Sequence, residues 1–148
     1  AAAQLDPRTL QRLDGWRQTL KAAKLYDKAL AYTRKLPSSM ALGGEMLQQI
    51  LEKDPHTDAI FFCNDDLAQG ALMAALRLGI SVPDQVAIAG FNDLTGSDQM
   101  LPTLTSVRTP RALIGQAAAN MLLSLMRGEE PEARQLDLGF EIVQRQSS

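Results

Sequence analysis

The run Asp58-Ala59-Ile60-Phe61-Phe62-Cys63, apolar after its first residue, constrains this chain more than any other feature. A short segment of this kind marks a parallel strand covered on both faces, because the alternation of apolar and polar residues disappears once neither face meets water. It leads directly into a helical pattern over 66–78, which Gly79 is placed to end. A second run of the same character follows at 86–91. Strand, helix and strand in this order require a right-handed crossover in a parallel sheet. The fold class is therefore α/β: a Rossmann-like parallel sheet with flanking helices.

The other elements attach to this unit. Residues 7–24 read as a helix with Asp6 as N-cap, Pro7 at the first helical position, and Leu10, Leu13, Trp16 and Leu20 along a stripe to be buried. Residues 29–34 alternate as a short strand, and 43–53 form a helix that turns Met46, Leu47, Ile50 and Leu51 inward. After Pro102 the pattern gives a strand at 104–107, a helix over 110–126, and a strand pair over 136–143 broken at Gly139. No internal repeat or low-complexity tract is present.

Composition excludes several classes of function. A length of 148 residues suits one domain or part of a larger fold. Lys+Arg 15 against Asp+Glu 17 leaves a net charge of −2, without the basic surplus that neutralising DNA phosphates demands. The one cysteine, Cys63, lies inside the apolar run and reads as a buried reduced thiol, which favours the cytoplasm. No window is long and apolar enough to span a bilayer, and the start Ala1-Ala2-Ala3-Gln4-Leu5 has no basic leader. Three alanines running straight into a helix start read as a chain whose upstream strand has been left out. With one cysteine and one histidine there is no zinc-ligand set, and neither a Gly-x-Ser-x-Gly elbow nor a phosphate-binding glycine loop occurs. No cofactor, metal or enzymatic site is expected.

In an open α/β sheet, ligands bind beyond the carboxyl ends of the parallel strands. Two polar clusters occupy that place, Asn64-Asp65-Asp66 and Asn92-Asp93. Asp65 and Asp66 read as helix caps. Asn64 differs, because its amide both donates and accepts, as a polyol ligand requires. Asn92-Asp93 fits a turn and a ligand contact equally well. Arg12 borders the stripe of the first helix, where it either snorkels to solvent or forks onto ligand oxygens. Arg108 and Arg111 lie near the same loops, and His56 reads as an exposed loop residue.

The segments Arg12-Leu13-Asp14-Gly15-Trp16, Asn64-Asp65-Asp66-Leu67-Ala68-Gln69-Gly70-Ala71, Gly79-Ile80-Ser81-Val82-Pro83-Asp84, Gly90-Phe91-Asn92-Asp93 and Leu104-Thr105-Ser106-Val107, taken in order, resemble the LacI/GalR family of transcription repressors. Leu5-Asp6-Pro7-Arg8-Thr9, Thr109-Pro110-Arg111 and Leu136-Asp137-Leu138-Gly139-Phe140 look in particular like its gluconate-utilisation repressors.

The resemblance implies a sensor of two Rossmann-like subdomains of periplasmic-binding-protein-like fold, hinged around a sugar-type effector. Operator DNA would be held by a helix-turn-helix domain absent from this chain. Residues 1–148 would form a partial effector domain, mostly its second (C-terminal) subdomain. The helix at 110–127 would pack with the missing first subdomain, reached and left through hinge strands near 106–109 and 132–135. Effector contacts carry over to Arg12, Asn64 and Asn92, with Thr109 and Arg111 on the hinge side of the cleft. Many relatives have Asp at the position of Asn92, and the neutral amide would repel an acidic effector less. A sugar acid is thus the expected ligand. Homodimer contacts are expected on the helix 66–78 and the segment 99–104. The rival reading is a periplasmic sugar-binding protein of a transporter, which shares the two-lobed fold.

Overall fold

The computed structural model describes residues 6–130 and 133–148. Ala1–Leu5 and Glu132, the first residue of the expected return strand, lie outside the described residues. The elements in order are α1 (Pro7–Ala22), a 3-10 turn (Lys28–Leu30), α2 (Met40–Lys53), β1 (Ala59–Phe61), α3 (Asp65–Leu78), β2 (Ala87–Phe91), β3 (Thr105–Arg108), α4 (Arg111–Met126) and β4 (Glu141–Val143). The sheet runs β1-β2-β3-β4. Its first three strands are parallel, in register Ala59↔Ala87 and Ala89↔Thr105, and β4 is antiparallel to β3 through Val107↔Ile142. The parallel α/β sheet expected from the strand, helix, strand order is present.

The core lies between one face of this sheet and the α2–α3 pair. Leu47, Leu72, Ile88 and Leu104 are almost wholly buried there with Phe62 and Leu67. Each such side chain contributes about 1.5–3 kcal/mol by leaving water. Along α3, Leu67, Ala68, Ala71, Leu72, Ala74 and Ala75 fall on one helical stripe. Close approach of the two helices depends on glycine: a Cβ on Gly70 would collide with the Met40 carbonyl, and one on Gly43 with that of Leu67. Gly79 ends α3 at φ 70, as the sequence suggests.

Three local expectations are corrected. Residues 29–34 form no strand: Asp27 caps the 3-10 turn by accepting from the Ala29 amide at 2.8 Å, and no described strand lies beside the segment to complete a ladder. The strand pair over 136–143 reduces to β4, because Gly139 takes φ 70 and donates to Asp137 at 2.8 Å, turn chemistry that prevents pairing. The strand expected at 58–63 shortens to β1 and is covered on one face only. Phe62 is buried against α2 and α3, whereas Phe61 is 41% exposed.

The exposed face of β1 looks toward α1. That helix begins as expected, with Asp6 accepting from the Arg8 and Thr9 amides at 3.0 and 3.3 Å. The Thr9 hydroxyl, donating at 2.6 Å, is the largest of the influences that hold the exposed Asp6 carboxyl at about 2. No residue of α1 is buried, and Trp16 finds an edge-to-face partner in Tyr26 at 5.9 Å. The stripe foreseen for burial is only half covered.

The carboxyl-terminal residues bind the sheet together. Ser147 is buried, accepts from the Ile88 amide at 2.7 Å, and donates its own amide to the Thr103 carbonyl at 3.0 Å. Its hydroxyl accepts from the Thr105 amide at 2.8 Å and donates to the Ile88 carbonyl at 2.6 Å. The tail thus joins β2 to the start of β3, which fixes where the preceding Arg145 stands.

Candidate effector site

The site lies beyond the carboxyl ends of β1 and β2, where α1 is held off the sheet. Arg12 reaches across this gap: its Nη1 donates to the Cys63 carbonyl at 2.8 Å, and its guanidinium stacks 3.9 Å from the centre of the Phe91 ring. One cation is thereby fixed at both strand ends. A cleft of about 280 Å³ opens beside it, lined by Arg12, Trp16, Thr19, Leu20, Phe61 and Phe91. Aromatic faces beside a guanidinium provide both surfaces a polyol acid requires, apolar for its carbon edge and cationic for its carboxylate. Cys63 lies beneath this wall as a free thiol, pushed up by burial and so less available as a thiolate.

Asn64 is the N-cap of α3. Its Oδ1 accepts from the Leu67 amide at 3.1 Å and its Nδ2 donates to the Ser38 hydroxyl at 2.6 Å. The expectation that Asp65 and Asp66 act as caps is therefore corrected, since Asn64 alone has the cap geometry. Asp66 is exposed in the first turn. Asp65 is wholly buried. Its Oδ1 accepts from the Ser106 hydroxyl at 2.6 Å, and its Oδ2 from the Leu94 amide at 2.6 Å and the Ser97 hydroxyl at 3.1 Å. One carboxyl group thus links α3, β3 and the loop that follows β2.

That loop carries Asn92 at φ 107 and Asp93 at φ 49, two consecutive non-glycine residues in left-handed backbone. Such conformations cost on the order of 1–3 kcal/mol each and persist only where their surroundings impose them. The Asn92 side-chain amide makes no hydrogen bond among the described residues, while its backbone N–H donates to the Val107 carbonyl at 2.8 Å. Asp93 is enclosed instead. Burial would raise its carboxyl, but Arg145 and Arg108, at 2.7 and 2.6 Å, outweigh burial and hold it below the usual carboxylate range. Arg111, at the start of α4, donates to the Asp93 carbonyl at 3.1 Å, and Thr109 is half-buried just before it.

The structure therefore brings Arg12 and Asn64 together at the end of β1, and Asn92 and Arg111 together around Asp93. The contributions of Asp65, Phe91 and above all Arg145 are not foreseen from the sequence. Asp65 shows no local sign beyond its place after Asn64, and Arg145 is 52 residues from the carboxylate it binds.

The periplasmic binding protein-like domain family matches residues 2–148. The chain belongs to this family. It is 53% identical, over 99% of its length, to the HTH-type transcriptional regulator GntR of Pseudomonas aeruginosa, and spans 43% of that protein. The crystal structure of the transcription regulator GntR from Chromobacterium violaceum superposes with a TM-score of 0.95 at 51% identity, covering 99% of this chain and 54% of that one. A transcriptional regulator CelR–cellobiose complex gives a TM-score of 0.83 at 29% identity, covering 94% and 42%. The chain thus spans roughly half or less of the relatives it matches.

Proposed function

We propose that this chain is the effector-binding part of a cytoplasmic transcription repressor, and not an enzyme, that responds to a sugar acid of the gluconate type. The observation that carries the reading is the Arg12 guanidinium, held at the ends of β1 and β2 by the Cys63 carbonyl and the Phe91 ring. In this reading Arg12 pairs with the effector carboxylate, with Arg111 as the alternative cation. Asn64 and Asn92 bind hydroxyls, and Thr109 lines the hinge side. The neutral amide of Asn92 adds no carboxylate that would repel an acidic ligand. The similarity to HTH-type transcriptional regulators favours the repressor over a transporter's periplasmic sugar-binding protein. No helix among the described residues is long and apolar enough to cross a membrane.

Operator DNA would be held by a domain outside this chain. The helix at 110–127 would belong to the first subdomain: α4 has no buried residue, and Leu113, Ile114, Leu122 and Met126 are exposed along it. An effector that binds one arrangement of the two lobes better than the other shifts their equilibrium, and through it the DNA-binding heads of a dimer.

Calorimetry of the intact regulator with D-gluconate, 2-ketogluconate and D-galactose tests this reading. The acids are expected to bind and the neutral sugar to bind most weakly. Tightest binding of galactose would sink the acid assignment. Arg12→Ala is expected to weaken gluconate binding by roughly 10- to 150-fold, the value of a hydrogen bond to a charged group.

We place the dimer contact on α3 and 99–104, where Met73, Leu76 and Leu101 are exposed. Met100, by contrast, packs partly against the core. Leu101→Asp is therefore the cleaner probe, and is expected to convert the dimer to monomer in light scattering. An unchanged mass would show that the contact lies elsewhere.

A further inference from the structure

Asn92 is the one expected ligand contact that stands in left-handed backbone. It stands at φ 107 and its neighbour Asp93 at φ 49, with no glycine in either place. Asn and Asp tolerate such backbone better than other side chains, and contacts from outside the loop hold it in this one conformation. Asp93 Oδ1 accepts from Arg145 Nη1 at 2.7 Å, Oδ2 from Arg108 Nε at 2.6 Å, and the Asp93 carbonyl from Arg111 at 3.1 Å. The Asp93 amide donates to the Ser106 hydroxyl at 3.1 Å and the Leu94 amide to Asp65 at 2.6 Å.

The arginines are not equivalent. The Arg108 side chain is 46% exposed and also pairs with the exposed Glu141, so water screens its attraction. That of Arg145 is 15% exposed, and its Nη1 also donates to the Leu104 carbonyl at 2.6 Å. Its own amide is anchored on the Thr105 hydroxyl at 2.8 Å, next to the buried Ser147. Arg145 is thus held from two sides before it meets Asp93, so little freedom remains to be lost in forming the pair.

We propose that Arg145, acting through Asp93, is a positioning residue that fixes the backbone of Asn92 and so aims its unpaired amide at the effector. Arg108 and Arg111 support the same carboxylate and carbonyl. The inference rests on the reading of Asn92 as an effector contact. It also gives the carboxyl-terminal tail a role in recognition: the residues that close the sheet place the arginine that shapes the site.

The experiment uses the full-length regulator and D-gluconate. Arg145→Gln is expected to weaken gluconate binding by about tenfold or more, and Arg145→Lys to recover part of that loss, while Arg108→Gln has less than about threefold effect. The pH profile separates positioning from general support of the fold. Asp93 is faced by Arg145, Arg108 and Arg111, with Glu141 behind Arg108 and Asp65 beneath Leu94. A carboxyl held low keeps its pairs until the pH falls through its own folded-state value. Removing Arg145 raises that value, so binding in Arg145→Gln should fail at a higher pH than in the unaltered protein.

Amide hydrogen exchange at Asn92 and Leu94 reads the backbone without any ligand, and should be faster in Arg145→Gln with the remaining sheet unchanged. Unaltered exchange in Arg145→Gln overturns the proposal whether or not gluconate binds, as does unaltered affinity with an unshifted pH profile. Failure of the unaltered protein to bind any of the three sugars, with faster exchange in the variant, overturns the effector assignment and leaves the positioning of Asn92 supported.

Discussion

Replacing Asp65 by alanine will destabilise the domain by about 3 kcal/mol and lower its melting temperature by roughly 6–12 °C. Its carboxyl group is wholly buried and accepts from two hydroxyls and one amide. The three losses are unequal. Ser97 and Ser106 can rotate their hydroxyls toward other acceptors, but the Leu94 N–H is fixed by the backbone and would be left without a partner, at about 1–3 kcal/mol. The space vacated by the carboxyl adds a smaller packing loss. Asp65→Asn keeps one acceptor and sets an NH₂ against donors, so it should fall between the two proteins. Thermal unfolding of the full-length protein, followed by circular dichroism, measures the series. An unchanged melting temperature in Asp65→Ala would show that these bonds add nothing beyond what water supplies. The variant should also loosen the loop that carries Asn92, which couples a stability measurement to the site.

The position of Asp65 also shows what the sequence conceals. From the sequence Asp65 and Asp66 read as caps, and a cap is indeed present, but Asn64 supplies it, three residues before the amide it accepts from. What separates Asp65 from Asp66 is the Ser106 hydroxyl, 41 residues away. Arg145 presents the same difficulty at greater range, and near the chain end it resembles any solvated arginine. By contrast α3, β2 and α4 were legible, because each is a periodic segment with its own start and stop, and Gly79 marks one of those stops without help from distant residues. The segment 29–34 misled for a related reason. Alternation reports that a strand could form, whereas a ladder needs a partner, and none of the described strands stands beside it. Arg12 lay between these cases. The stripe of α1 put it at the edge of a buried surface, but only the end of β2 supplied the Phe91 ring beneath it.

Gly70→Ala should cost at least about 3 kcal/mol, against the sign that helix propensity alone would give. Alanine in a helix interior is favoured over glycine by about 1 kcal/mol. At this site the added methyl would collide with the backbone carbonyl of Met40, on the first turn of α2. A side chain could rotate away; a helix backbone cannot, so α2 would have to slide and draw Leu42 and Leu47 out of the core they share with Leu72. Separating those side chains forfeits more than the propensity gain, since a single Leu buried in the core is worth about 1.5–3 kcal/mol. Gly44→Ala provides the contrast on the same interface. Its Cβ would meet the Ala74 methyl at 3.2 Å and the Gly70 carbonyl at 3.4 Å, a tight fit that a few tenths of an ångström relieve. There the propensity gain and the crowding should nearly cancel, leaving a change within about 0.5 kcal/mol. Denaturant titration of the two variants side by side decides the matter. If Gly70→Ala proves as neutral as Gly44→Ala, the α2–α3 spacing is set by their apolar side chains and not by the contact of backbone with glycine.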